Sequence, residues 1–98
     1  MDKYKLIADF MGMKYDKERK FKDGKWIHSV RSLSRFEYDW TWLMEVVKEI
    51  YRVSEDFPFA PEVMIDVMRD ALADASIRGT YDAVVDILMY RYILNENK

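Results

Sequence analysis

The spacing of apolar residues changes twice along this 98-residue chain, and the change restricts the possible folds more than any other feature. In residues 3–11, and again from residue 39 onwards, apolar residues recur every three or four positions, as in amphipathic helices. Between residues 13 and 30 they alternate with polar residues, as in half-buried strands. Because both periods occur in one chain, we predict an α+β fold.

The alternating stretch is interrupted by Asp23-Gly24. An Asp-Gly pair between two alternating runs indicates a hairpin, since a type I′ turn needs two residues with positive φ. We expect a short antiparallel meander or hairpin of two or three strands. Tyr15, Phe21 and Trp26 would share its buried face, and the lysines would point to water.

Helices are expected before and after this sheet in the chain. Asp2 and Gly12 have the positions of an N-cap and a C′ residue around a first short helix. Residues 31–38 contain serines and mixed charges and are expected to form a loop. Asp39 is the expected N-cap of the next helix, whose apolar stripe is wide: Trp40, Leu43, Met44, Val47, Ile50 and Tyr51.

The last third of the chain contains one ambiguous segment. Residues 61–75 have helical spacing, but the run Val63-Met64-Ile65 leaves a strand open as an alternative. A final helix is expected from about residue 77 to residue 94. We therefore predict three to four helices packed with the sheet in a layered sandwich. Residues 40–53 and 77–94 each carry a second apolar stripe, which either is buried within the chain or forms a homodimer interface.

Composition limits the class of protein. Half of the residues are apolar and 15% are aromatic, which indicates one folded domain over residues 1–98. There is no cysteine, so neither a disulfide framework nor a thiolate zinc site is possible. No signal-peptide pattern and no apolar run of transmembrane length occur, so we expect a protein of the cytoplasm that does not enter a membrane.

Charge is unevenly distributed along the chain. Residues 14–35 contain eight basic and three acidic residues, whereas residues 36–98 contain six basic and thirteen acidic ones. The basic hairpin is the candidate partner-binding region, with these residues: Lys14, Lys17, Arg19, Lys20, Lys22, Lys25 and Trp26. Basic and aromatic residues together could hold a nucleic acid. The chain's overall acidity favours a protein partner instead, or the self-association of basic and acidic ends.

No group of residues indicates catalysis. His28 is the only histidine, and we expect it to face solvent on a basic strand. Asp66, Asp70 and Asp74 recur every four residues and predict a hydrated acidic helix face. Phosphate-loop, nucleophile-elbow and metal motifs are absent from the sequence. We expect no catalytic residues, no metal and no cofactor.

Three segments resemble a known family. Residues 39–50, DWTWLMEVVKEI, resemble the "SWDWLMPVVEKI" helix of small proteins from phages and mobile elements of Bacteroidetes, although Glu45 stands in place of proline. Residues 81–88, YDAVVDIL, resemble their "YNAVVEFIKWYN" helix, and residues 7–13, IADFMGM, resemble their "IAEFMGW". The segments occur in the same order. The resemblance implies a domain of the phage ABA-sandwich type and an accessory protein encoded by a phage or an integrated element.

These observations lead to three functional hypotheses. The first is an accessory protein that acts by non-catalytic binding to a host or phage protein. The second is an anti-defence inhibitor that binds a host nuclease, or nucleic acid, through the basic hairpin. The third, which we rank last, is an enzyme that binds a small molecule.

Overall fold

The computed structural model describes residues 2–16, 20–22, 25–56 and 60–96, and its fold is mostly helical with a small sheet, an α+β arrangement. The elements follow in this order: α1 (Lys3–Phe10), β1 (Tyr15–Asp16), β2 (Lys20–Lys22), β3 (Lys25–Ser29), a 3-10 helix (Val30–Ser34), α2 (Arg35–Tyr38), α3 (Trp40–Asp56), α4 (Glu62–Ala73) and α5 (Ile77–Glu96). The described part of the chain thus contains five α-helices, whereas we expected three to four.

The sheet has the strand order β1-β3-β2. β3 pairs antiparallel with β2, where Phe21 lies opposite Trp26, and parallel with β1, where Tyr15 lies opposite His28. The three strands are thus a mixed sheet and not the antiparallel meander that we expected. Alternating hydrophobicity indicates which residues are extended, but it does not encode the direction in which two strands pair. The expected turn at Asp23-Gly24 lies outside the described residues.

The predicted N-cap and C′ residue of α1, Asp2 and Gly12, are both confirmed. The Asp2 carboxylate accepts hydrogen bonds from the backbone N–H groups of Tyr4 and Lys5. Gly12 has a positive φ of 68°, and the N–H of Met13 donates to the carbonyl of Ala8 over 2.9 Å. A left-handed C′ residue, followed by a C″ N–H that donates back to the C3 carbonyl, is the Schellman motif that ends many helices.

The expected loop at residues 31–38 is helical, which corrects the prediction. The Ser29 hydroxyl accepts a hydrogen bond from the N–H of Ser32 over 3.1 Å and so starts the 3-10 helix. In return, the Ser32 hydroxyl donates to the carbonyl of Ser29 over 2.8 Å. Ser29 thus caps the 3-10 helix, and the hydroxyls of Ser32 and Ser34, which suggested a loop in the sequence, donate to backbone carbonyls three residues earlier.

Residues 61–75 form a helix and not a strand. α4 packs against α5 and turns Ile65 and Met68 into the core. The turn between these helices has Ala75 in the left-handed region at a φ of 54°. The hydroxyl of Ser76 then accepts a hydrogen bond from the N–H of Gly79 over 3.0 Å and caps α5.

α5 is central to the single core. It packs against α1, α2, α3 and α4, and Val84, Ile87 and Leu88 are almost fully buried on it. On α3 the buried apolar residues are Leu43, Val46, Val47 and Ile50. Val46 and Ile87 belong to the second apolar stripes, so at these positions the stripes are buried within the chain.

Candidate functional site

A stack of arginine, tryptophan and histidine joins the sheet to α2 and α3. The Arg35 guanidinium lies 4.8 Å from the centre of the Trp42 ring. The ring of His28 meets Trp42 edge-on at 5.3 Å, and the buried Phe36 meets it in the same way at 5.1 Å. Trp42 is half-buried, and the Arg35 side chain is 47% exposed. An exposed cation is therefore held against a fixed aromatic ring.

Asp39 holds this stack in place. Its carboxylate accepts a hydrogen bond from the N–H of Thr41 over 2.9 Å, which confirms the predicted cap of α3. The same carboxylate binds the Arg35 guanidinium over 2.9 Å, one helical turn away. The Arg35 hydrogen bond is the main reason why the pKa of Asp39 lies below its ordinary value, and the N–H groups of Thr41 and Trp42 act in the same direction. Arg35 is thus anchored before any partner binds.

Two further basic residues flank the stack, Lys14 through the pairing of β1 with β3 and Arg31 through its position one turn before Arg35. Lys14 is exposed, and its carbonyl accepts a hydrogen bond from the N–H of His28 over 3.3 Å. Arg31 is exposed in the 3-10 helix, one turn before Arg35. We call these five residues the arginine–tryptophan surface: Lys14, His28, Arg31, Arg35 and Trp42. Its exposed charges are positive, because Asp39 is already paired with Arg35.

The basic hairpin predicted from the sequence is placed only in part. Lys14 is exposed as expected. Lys17 and Arg19 lie outside the described residues. The backbones of Lys20, Lys22, Lys25 and Trp26 belong to β2 and β3, but their side chains lie outside the described part of the chain. The structure therefore brings one predicted residue, Lys14, to the surface defined above.

His28 differs from the prediction. We expected it to face solvent, but it is half-buried with its ring against Trp42. Trp42 and Arg35 were not predicted as site residues. Arg35 and Asp39 have the i, i+4 spacing of a helical ion pair, which could have indicated that contact. The contact of His28 with Trp42 joins a strand to a helix across fourteen positions, and no local pattern signals it.

A second polar cluster lies where α1, α2 and α5 meet. The Tyr4 hydroxyl donates a hydrogen bond to Glu37, and this bond is the main reason why the pKa of Tyr4 is raised. Tyr81 is 4% exposed with its ring 6.3 Å from that of Tyr4, and burial raises its pKa. These side chains line an open hollow of about 260 Å³ together with Arg78. Since Glu37 is already occupied by Tyr4, this cluster serves to join three helices.

The other carboxylates agree with the expected hydrated face. Asp66, Asp70 and Asp74 are all exposed on the outer side of α4 and its end. In the described ranges, no three histidine or carboxylate side chains are placed to hold a metal ion. Over the same ranges, none of the helices combines the length and the apolar character needed to cross a bilayer.

Comparisons with known proteins were made at three levels. No protein-family model, no curated protein and no solved structure matches this chain. A functional proposal for this chain therefore rests on the chemistry of the arginine–tryptophan surface.

Proposed function

We propose that this protein acts by non-catalytic binding, and that its arginine–tryptophan surface holds an acidic region of a protein partner. The observation that supports this most is Arg35: Asp39 fixes its guanidinium over Trp42, and its side chain is still 47% exposed. Arginine and tryptophan are the residues that most often dominate binding energy at protein interfaces. Because Asp39 orders Arg35 in the free protein, less side-chain entropy is lost on binding.

The geometry of Trp42 favours a protein over a nucleic acid. Stacking of a base needs a free aromatic face. The Arg35 guanidinium lies over the Trp42 ring, and the rings of His28 and Phe36 both pack T-shaped against it, so three side chains already occupy the half-buried ring. The net charge of −2 also opposes a polyanion as long as a nucleic acid. A carboxylate on a protein surface can instead bind Arg35 at its free N–H groups.

The setting that we propose is that of an accessory protein of a phage or an integrated element, acting on a host or phage protein in the bacterial cytoplasm. The resemblance of residues 39–50 and 81–88 to such proteins supports this setting. Most of both segments lies in α3 and α5, which among the described residues contribute the largest numbers of buried residues. The layered sandwich that the resemblance implies is part of the same proposal.

The test is an affinity pull-down from bacterial lysate with Arg35→Glu beside the unmodified protein. The matched control is Lys48→Glu, because Lys48 is also an exposed base in a surface ion pair, 3.6 Å from Glu45. We expect a protein that the unmodified chain and Lys48→Glu both retain and that Arg35→Glu retains at least about tenfold less. Treatment of the lysate with nuclease should leave this retention unchanged.

Two results would contradict the proposal. One is a retained protein whose amount is the same for Arg35→Glu and for Lys48→Glu. The other is a loss of all retained material after nuclease treatment, which would assign the basic residues to nucleic acid.

A further inference from the structure

The outer face of α4 carries two valines and three aspartates. Val63 is 65% exposed and Val67 is 54% exposed. At 100° per residue, Val63, Val67, Asp70 and Asp74 fall on one stripe, opposite the side that packs on α5. We call the following residues the α4 stripe: Val63, Asp66, Val67, Asp70 and Asp74. Two neighbouring exposed valines bordered by carboxylates form a face with both apolar and charged character.

The carboxylates of this stripe are mostly uncompensated. Asp66 is paired with Arg69 over 3.4 Å. Within residues 2–16, 20–22, 25–56 and 60–96, Asp70 and Asp74 have no ion pair. A partner that complements the stripe must therefore present basic groups next to apolar or aromatic ones.

The arginine–tryptophan surface of the same chain has this composition. It combines Lys14, Arg31 and Arg35 with the half-buried ring of Trp42. The two surfaces belong to different parts of the fold, since α4 packs against α5 and the arginine–tryptophan surface is formed by the sheet, the 3-10 helix, α2 and the start of α3. In the described part of the chain no hydrogen bond or ion pair joins them.

We propose that the α4 stripe of one copy binds the arginine–tryptophan surface of a second copy. This inference rests on the proposed function, because it names the acidic partner of the same surface. A symmetric contact between two α4 stripes would place two surfaces of the same negative charge against each other, and like charges repel. The head-to-tail contact instead places carboxylates opposite arginines, and opposite charges attract.

The contact has two consequences. It is heterologous, so a head-to-tail pair keeps one free stripe on one copy and one free surface on the other, and larger assemblies follow at higher concentration. It depends on exposed charges, so it weakens as salt is added. The α4 stripe spans twelve residues, from Val63 to Asp74, or roughly 16 Å along the helix. That length provides a small interface, and the association is expected to be weak.

The test uses two charge-reversal variants, each measured alone and then in an equimolar mixture. Arg35→Glu removes the basic surface, and Asp70→Lys removes the acidic stripe. In sedimentation velocity at roughly 20 mM ionic strength, the mass of the unmodified protein should rise with concentration, and it should return to that of a monomer at about 500 mM. Each variant alone should associate at least about tenfold more weakly than the unmodified protein.

The mixture gives the decisive result. The Arg35→Glu copy still has its stripe, and the Asp70→Lys copy still has its basic surface. The equimolar mixture should therefore associate more strongly than either variant alone. Lys48→Glu and Asp86→Lys change exposed charges outside the two surfaces and should associate like the unmodified protein. A mixture that stays monomeric, or association that survives both reversals, would overturn the proposal.

Failure of this inference can be distinguished from failure of the proposed function. If the unmodified protein stays monomeric up to about 1 mM while Arg35→Glu still loses a retained lysate protein, the surface binds a different acidic protein and the second copy is the wrong partner. If Arg35→Glu changes neither experiment, both the inference and the proposed function are wrong.

Discussion

At the scale of single residues, Asp39 connects the fold to the candidate site. One carboxylate caps α3 through Thr41 and anchors Arg35 over Trp42. The capping role is visible in the sequence, because aspartate before an amphipathic run is a common N-cap. The anchoring role depends on α2, which places Arg35 one turn before Asp39. We expected a loop there, and the i, i+4 spacing of Arg35 and Asp39 indicates an ion pair only if that segment is helical.

The charge of Asp39 makes a specific contribution to stability. Its pKa is lower in the folded protein than in the unfolded chain, mainly because of Arg35. The contribution is therefore fully present above the ordinary carboxyl pKa of about 3.9 and is lost as the pH falls through the lower folded value. Asp39→Asn keeps a side chain that can cap a helix but removes the charge.

We expect Asp39→Asn to lower the free energy of unfolding at neutral pH, and the difference from the unmodified protein to shrink as the pH falls below about 4. Urea unfolding at a series of pH values measures this. Asp86→Asn, on an exposed position of α5, is the control and should show a much smaller difference. A constant difference between Asp39→Asn and the unmodified protein across the whole pH range would argue against the ion pair with Arg35.

At the scale of elements, the α4–α5 turn repeats the geometry that ends α1. The N–H of Ala75 donates to Leu72 and the N–H of Ser76 donates to Ala71, each over 3.0 Å, which is again a Schellman motif. The left-handed position that Gly12 occupies after α1 is occupied by Ala75 here. A glycine at this position signals the helix end in a sequence, whereas an alanine does not. The exact end of α4 was therefore not predictable.

This difference gives a prediction for stability. Ala75→Gly removes the steric cost of a side chain at a φ of 54°. Part of the gain is offset by the larger conformational entropy of glycine in the unfolded chain. We expect a net stabilisation of about 0.5–1 kcal/mol, measured by urea or thermal unfolding. The matched control, Ala73→Gly, lies at the helical end of α4 and should destabilise by up to about 1 kcal/mol. Destabilisation by Ala75→Gly would contradict the assigned backbone conformation.

The sheet shows the other limit of local patterns. Within residues 13–30 the alternation correctly indicated the described strands Tyr15–Asp16, Lys20–Lys22 and Lys25–Ser29, yet β1 joins β3 in the parallel direction. Only two residue pairs hold β1 in place. Such a short strand is positioned by its contacts with the rest of the fold, such as the hydrogen bond that its own Tyr15 hydroxyl donates to Asp9 of α1 over 3.0 Å. Its direction is therefore a property of the tertiary structure.

At the scale of the whole molecule, one core contains side chains of all the longer helices. The buried cluster includes Ile7 of α1, Leu43 of α3, Met68 of α4 and Ile87 of α5. Because these residues share one cluster, we expect the chain to unfold in a single cooperative transition.

Ile87 is the position that best tests this core, since it is completely buried on the central helix. We expect Ile87→Ala to destabilise by about 2–5 kcal/mol through lost burial and a residual cavity. Ile93 lies on the same helix and is 52% exposed, so Ile93→Ala should change stability by less than about 0.5 kcal/mol. Urea unfolding followed by tryptophan fluorescence and by circular dichroism measures both, and non-coincident transitions would contradict a single core.

The sequence alone determined the α+β class, the caps at Asp2 and Asp39, the left-handed Gly12 and the apolar faces of the helices. These features depend on interactions within about four residues, which local spacing encodes. The tertiary structure decided the parallel pairing of β1, the helical path of residues 30–38 and the contact of Trp42 with His28 and Arg35. Those features arise because segments distant in the chain must bury apolar surface against one another, and no local pattern records which segments meet.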